Sequence, residues 1–159
     1  MKTPSVSLLI IICFLMTIPF LGTAQKVQDE TSKNDKVEIK HLTKADFIKQ
    51  IWDYEKNRDE WIYKGKKPCI IDFYTTWCGP CKQLAPKLEE LASEYKGEII
   101  IYKINQEQER ELSALFGVSS IPTLLFIPKE GKPQMAKGNL PKETLVKIIN
   151  EVLLVKQNK

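Results

Sequence analysis

The chain has 159 residues, enough for one ordinary domain and too few for two. Hydrophobic residues make up 43% and charged residues 28%, which suits a packed globular core and excludes a chain too polar to fold. The net charge of +4 comes from 24 basic and 20 acidic side chains mixed along the sequence, which excludes the concentrated basic face of a nucleic-acid binder.

In chain order, Lys2 precedes an apolar run from Val6 to Leu21, and the small residues Gly22-Thr23-Ala24 follow it. A short positive start, an apolar stretch and small residues predict an export signal over residues 1–24, cleaved after Ala24. An uncleaved membrane anchor is the alternative, although the run is near the lower limit of about 17–25 residues for a span. A lipid-bearing Cys13 is a third reading, opposed by Ile12 where such sites need a small residue. Residues 25–36 are polar and predict a flexible tether, leaving residues 37–159 as the folded domain.

Val37 and Ile39 begin an alternation that predicts a short first strand. Thr43 then precedes Phe47, Ile48, Ile51 and Trp52 at helical spacing, and Asp46 stands where a capping box places its acid. Residues 57–67 are highly charged and read as an exposed loop, interrupted by Trp61 and Tyr63. Cys69-Ile70-Ile71-Asp72-Phe73-Tyr74 is a nearly continuous apolar run, as in a strand covered on both faces. It leads into Thr75-Thr76-Trp77-Cys78-Gly79-Pro80-Cys81 and a helix with Leu84, Leu88 and Leu91 on one face and Pro86 inside it. A strand over residues 98–104, a short helix over 109–116 closed by Gly117, and a strand over 123–127 follow. A weak strand near 134–136 and a last helix from Pro141, with Leu145, Ile148, Ile149, Val152 and Leu153 inward, complete the chain. The order β-α-β-α-β-α-β-β-α predicts an α/β fold with a mixed central β-sheet flanked by helices on both faces.

The place of the C-x-x-C carries the chemistry. It closes a buried strand and opens a helix, so Cys78 meets unpaired backbone N–H groups and the positive end of the helix dipole, which favour a thiolate. A thiolate is the species that attacks a disulfide, and Cys81, one turn along, is placed to attack the mixed disulfide in turn. Gly79 and Pro80 allow the tight turn between them. Cys78 is therefore expected to be the more exposed and more acidic thiol. One such pair with a single histidine, His41, does not make a zinc site, so no metal is expected. Nothing resembles a phosphate-binding glycine loop or a flavin or nicotinamide site, so no organic cofactor is expected either.

Trp77-Cys78-Gly79-Pro80-Cys81-Lys82 resembles the active-site motif of the thioredoxin family. The resemblance runs from about His41 to Lys156 through His41-Leu42-Thr43, Asp72-Phe73, Pro86, Lys103, Phe116-Gly117-Val118, Ile121-Pro122-Thr123 and Gly138. In overall pattern it is nearest the secreted thioredoxins of Gram-negative bacteria. It implies the thioredoxin fold and a Cys78/Cys81 dithiol–disulfide cycle that reduces or isomerises disulfides of exported proteins. It also implies Asp72 as a buried carboxyl that takes and returns the Cys81 proton, and Lys103 as the partner of that carboxylate. Pro122 matches the family's cis-proline, which bares the Ile121 backbone for an extended substrate. Trp77, Gly79, Pro80, Ile121, Pro122 and Gly138 would form the substrate-binding surface. The implied setting is periplasmic, with protein disulfide substrates, a membrane-borne electron donor upstream and a monomeric protein. A disulfide-donating oxidase, a reductant for cytochrome maturation and a non-catalytic binding module are the alternatives. The segment from Trp52 to Lys67 is longer than in a minimal thioredoxin, and reads as a loop pinned by its aromatics or as a partner surface. Cys69 reads as a buried strand residue, with a third reactive thiol as the alternative.

Overall fold

The structure is a computed structural model that describes residues 37–155. The elements follow the predicted order. β1 (Lys40–His41), α1 (Lys44–Gln50), β2 (Cys69–Tyr74), α2 (Gly79–Glu94) and β3 (Ile100–Asn105) come first. α3 (Arg110–Leu115), β4 (Thr123–Ile127), β5 (Gln134–Lys137) and α4 (Lys142–Ile148) follow, and a π-helical turn over Ile149–Leu153 ends the last helix.

Local chemistry sets the helix starts. The Thr43 hydroxyl accepts the Asp46 N–H at 3.2 Å, and the Asp46 carboxylate accepts the Thr43 N–H at 3.3 Å, so the capping box forms with aspartate in the acidic position. At the far end of α3, Gly117 takes a positive φ of 61°, a conformation that suits glycine, and the Val118 N–H returns to the Ser113 carbonyl at 2.9 Å.

The five strands lie in the order β1-β3-β2-β4-β5. β1, β3 and β2 run parallel, whereas β4 is antiparallel to β2 and β5 is antiparallel to β4. Side-chain alternation along each strand divides the core in two. Ile70, Ile101, Leu124 and Phe126 face α2 and the last helix, against Leu84, Leu88, Leu145 and Ile149. Ile71, Phe73, Ile104 and Leu125 face the other way, against Phe47 of α1, Ile51 at its C-cap and Leu112 of α3. A side chain buried as fully as Leu84 or Leu88 contributes about 1.5–3 kcal/mol, so α2 is anchored along its length and its first turn is held fixed against the sheet.

Three details differ from the expected elements. The first strand pairs only at Lys40 and His41, although Ile39 and Leu42 keep the alternation by burying on opposite faces. Glu98 and Ile99 fall outside β3 because their N–H groups return to the Tyr95 carbonyl in the turn after α2. The last helix ends in a π-helical turn over Ile149–Leu153 rather than as a plain α-helix, while its inward residues are those expected: Leu145, Ile149 and Leu153 are buried, and Ile148 and Val152 pack half-buried against the same cluster.

The segment after α1 is tied down by its aromatic residues. The Trp52 indole donates to the Glu60 carbonyl at 2.9 Å, and Trp52 and Trp61 pack with ring centroids 5.0 Å apart. Trp61 also meets Phe116 at 6.4 Å, and the Lys64 ammonium reaches the buried Asp53 carboxylate at 3.3 Å. The loop is pinned to the α1–α3 side of the core.

The localisation expectation, a periplasmic protein with a membrane anchor as its alternative, is corrected at the anchor. Among the described residues no helix is long and apolar enough to cross a membrane. The longest helix, α2, has 16 residues and carries lysines and glutamates, and at about 1.5 Å per residue it falls short of a hydrocarbon core roughly 30 Å thick. The apolar run, the cleavage after Ala24 and the tether to residue 36 lie outside the described residues.

Candidate active site

Cys78 and Cys81 form a disulfide with a 2.11 Å S–S bond and Cα atoms 5.3 Å apart. Cys78 is the N-cap of α2 in extended backbone, and Pro80 occupies the first turn, where its missing N–H costs the helix nothing. The Cys78 Sγ accepts the Cys81 N–H at 3.1 Å, so one of the orphan donors of the helix start is spent on sulfur. Exposure does not separate the two cysteines, contrary to expectation: each residue is 4% exposed. What separates them is that the N–H is aimed at Cys78. Gly79 and Pro80 are exposed beside the disulfide.

Asp72 is 1% exposed on β2, on the face that packs against α2, and its Oδ1 has no hydrogen-bond partner. Burial raises its pKa to about 7, and the Lys103 charge offsets this only in part. Lys103 stands opposite Asp72 in the parallel β2–β3 register, yet no ion pair or hydrogen bond joins the two among the described residues. The Lys103 ammonium instead lies 6.0 Å from the centroid of the Tyr74 ring.

The Ile121–Pro122 peptide bond is cis, and Pro122 is buried. The Gly138 N–H donates to the Pro122 carbonyl at 2.8 Å from a backbone with φ 92°, which ties the end of β5 to this loop and suits glycine there. Trp77 is 67% exposed, and its indole donates to the Glu107 carboxylate at 3.0 Å. Beside it a groove of about 530 Å³ runs between Trp77, Ile121, Thr75, Glu107, Arg110 and Val118. Trp77 and Ile121 thus border a groove, while Gly138 and Pro122 stand outside its lining and act on the loop that carries Ile121.

Several residues of this region were not legible as site residues in the sequence. Glu107 fixes the Trp77 indole from thirty positions away, a pairing that only the fold creates. Thr75 adjoins the motif, is buried, lines the groove and leaves its Oγ1 without a partner. Cys69, by contrast, is fully buried on β2, and burial pushes its thiol up to about 12. Among the described residues no cluster of three or more histidine, cysteine, aspartate or glutamate side chains could hold a metal ion.

Residues 38–151 match the family model described as Thioredoxin. The chain is 44% identical to a thioredoxin of Borreliella burgdorferi over 110 residues, 69% of this chain and 93% of that protein. It is 38% identical to a thioredoxin of Haemophilus influenzae over 72% of this chain and 96% of that one. With the chloroplastic M-type thioredoxin of Spinacia oleracea it shares 34% identity over 69% of this chain, which spans 61% of the spinach protein. Among solved structures, chloroplastic thioredoxin z aligns with a TM-score of 0.59 at 27% identity, covering 72% of this chain and 94% of that one. Bacterial and chloroplastic relatives appear together, so the secreted bacterial subgroup is not set apart. A family match over most of the domain, and a disulfide at the start of the helix after a buried strand, establish that the chain belongs to the thioredoxin family and is a thiol–disulfide oxidoreductase.

Proposed function

We propose that the protein reduces, and in part isomerises, disulfides of extended protein segments, with Cys78 as the attacking thiol and Asp72 as the proton acceptor for Cys81. The observation that carries this reading is the Cys81 N–H aimed at the Cys78 Sγ, on the helix packed over the face where the unpartnered Asp72 carboxyl lies. In the reduced protein the Cys78 thiolate attacks one substrate sulfur. The substrate S–S bond breaks, a Cys78–substrate disulfide forms, and the leaving substrate thiolate takes a proton from water. Cys81 then gives its proton to the Asp72 carboxylate and attacks the Cys78 sulfur. The second substrate thiolate leaves and the Cys78–Cys81 disulfide re-forms, two electrons having passed to the substrate. A carboxyl with a pKa of about 7 is about half ionised near neutrality, so it can both take that proton and release it.

The groove beside Trp77 and Ile121 supports an extended peptide as the substrate, with the Ile121 backbone as its pairing edge. Gly138 keeps that edge in place through its bond to Pro122. Lys103 tempers the Asp72 carboxylate by charge alone. Gly79 and Pro80 put no cation or hydrogen-bonding side chain beside Cys78, which supports a reducing rather than an oxidising role. The known ends of the scale are about −270 mV for thioredoxin and about −120 mV for a strongly oxidising relative, roughly 7 kcal/mol apart for two electrons. Electrons would come from an upstream dithiol donor, and the protein would act as a monomer. The higher identity with the Borreliella protein than with the spinach one supports a thioredoxin of bacterial type.

Equilibration with dithiothreitol and glutathione buffers, paired with turbidimetric reduction of insulin, tests the reading. A potential near the reducing end and catalysis lost in Cys78→Ser are expected. A potential near the oxidising end would overturn it in favour of disulfide donation.

A further inference from the structure

Asp72, Lys103 and His41 form a row across three adjacent parallel strands. The registers place Asp72 opposite Lys103 and Lys103 opposite His41. Tyr74, two residues beyond Asp72 on the same face of β2, spans this row. Its hydroxyl lies 3.2 Å from the His41 Nδ1, the two rings meet edge-on at 5.7 Å, and the Lys103 ammonium lies 6.0 Å from the Tyr74 ring centroid. His41 and Lys103 open onto a cleft of about 340 Å³ whose walls include Glu89 of α2 and Glu38 ahead of β1.

The charged and titratable groups on this side of Asp72 are therefore Lys103 of β3, His41 of β1, Tyr74 of its own strand, Glu89 and Glu38. β4 presents Leu124 opposite Asp72. The disulfide form of Cys78 and Cys81 does not titrate.

Two placements are open to the Lys103 ammonium. It can close on the unpartnered Asp72 Oδ1, or it can rest over an aromatic ring. A cation near a ring face is held electrostatically, more firmly where water is scarce. The ring that holds it is itself packed edge-on against His41, a contact that does not depend on the hydroxyl.

We infer that Tyr74 is a positioning residue for the proton-handling carboxyl: its ring holds the Lys103 ammonium off Asp72, so that Asp72 keeps no ion-pair partner. The inference rests on the proposed proton role of Asp72 for its importance but not for its test. Burial first, then the nearby Asp72 charge, raises the Tyr74 hydroxyl above its ordinary pKa, which agrees with the two groups lying close together on β2.

The test is an NMR titration of the Asp72 carboxyl carbon in the oxidised protein, where neither active-site cysteine titrates. Tyr74→Phe keeps the ring and should leave the Asp72 titration where it is. Tyr74→Leu frees Lys103 and should lower the midpoint by about one pH unit, a tenfold change in proton affinity. The same Tyr74→Leu change in a Lys103→Met background should produce no fall, because the ammonium through which the ring acts is gone. An equal fall in that background would mean that the ring merely keeps water out, and would overturn the inference. So would an unchanged or raised midpoint in Tyr74→Leu. Should Tyr74→Leu not fold, the wild-type protein still decides: the Lys103 ε-methylene protons should be shifted upfield by the ring and remain so in Tyr74→Phe. Unshifted protons would refute the contact. Failure of the Asp72 proton role would instead show as a pH–rate profile indifferent to the Asp72 midpoint, with these titrations intact.

Discussion

Replacing Asp72 by asparagine should raise the stability of the oxidised protein, and by an amount that grows with pH. The carboxyl is 1% exposed, one of its oxygens has no partner, and its pKa stands at about 7 rather than the ordinary 3.8. Because the folded value lies above the unfolded one, the folded state binds the proton more tightly. The penalty of ionising Asp72 is absent below the unfolded value, grows as pH rises between the two, and levels off above the folded one. At about 1.36 kcal/mol per pH unit, the full penalty is on the order of 4 kcal/mol above pH 8 and roughly 2 kcal/mol at pH 5. Asparagine keeps the shape but cannot ionise. It adds a constant cost for an amide buried without full hydrogen bonding, which offsets part of the gain at every pH. The pH-dependent part is therefore the clean quantity. Urea unfolding of both oxidised proteins from pH 5 to 8.5 should show the advantage of Asp72→Asn increasing by about 2–3 kcal/mol. Other titrating groups cancel in the difference. A difference flat across that range would refute the reasoning, because it would mean that Asp72 titrates alike in the folded and unfolded chains.

Three further outcomes follow from the same geometry. Limiting iodoacetamide at neutral pH should label Cys78 of the reduced protein first and leave Cys69 unlabelled until the chain is unfolded, as peptide mass mapping would show, since burial pushes the Cys69 thiol up to about 12. Trp77→Ala should raise the KM for a protein disulfide while sparing the reduction of a small aromatic disulfide, because it strips one wall of the groove without touching the cysteines; equal losses on both substrates would count against the groove. Thr43→Ala should cost about 1 kcal/mol in urea unfolding through loss of the capping box, and a neutral result would show that the cap is replaced by water.

Most of the fold was legible because its elements announce themselves locally. The run Cys69–Tyr74 needed no tertiary information to be a buried strand, and Leu84, Leu88 and Leu91 fixed the inward face of α2 by spacing alone. The disulfide was legible for the same reason, since strand, turn and helix lie in one continuous stretch. What escaped depends on contacts between distant segments. The resemblance to the family implied a Lys103–Asp72 pairing, but a strand register says only that two residues are opposite. It does not say that an aromatic ring two positions along takes the ammonium. Glu107 under the Trp77 indole and the seating of Trp61 against Phe116 have no sequence signature at all, because each joins loops that only the packed sheet brings together. The inward residues of the final helix were legible from their spacing, whereas the π-helical turn over Ile149–Leu153 was not.

The most direct test of the central claim is a trapping experiment with Cys81→Ser. Reduced protein carrying this change should attack a disulfide substrate such as insulin through Cys78 and stop there, because no second thiol can release the product. Non-reducing electrophoresis should show a covalent adduct that dithiothreitol dissolves, and peptide mapping should place the link on Cys78. No adduct with Cys81→Ser, or an adduct linked through Cys69, would contradict the assignment of Cys78 as the attacking thiol.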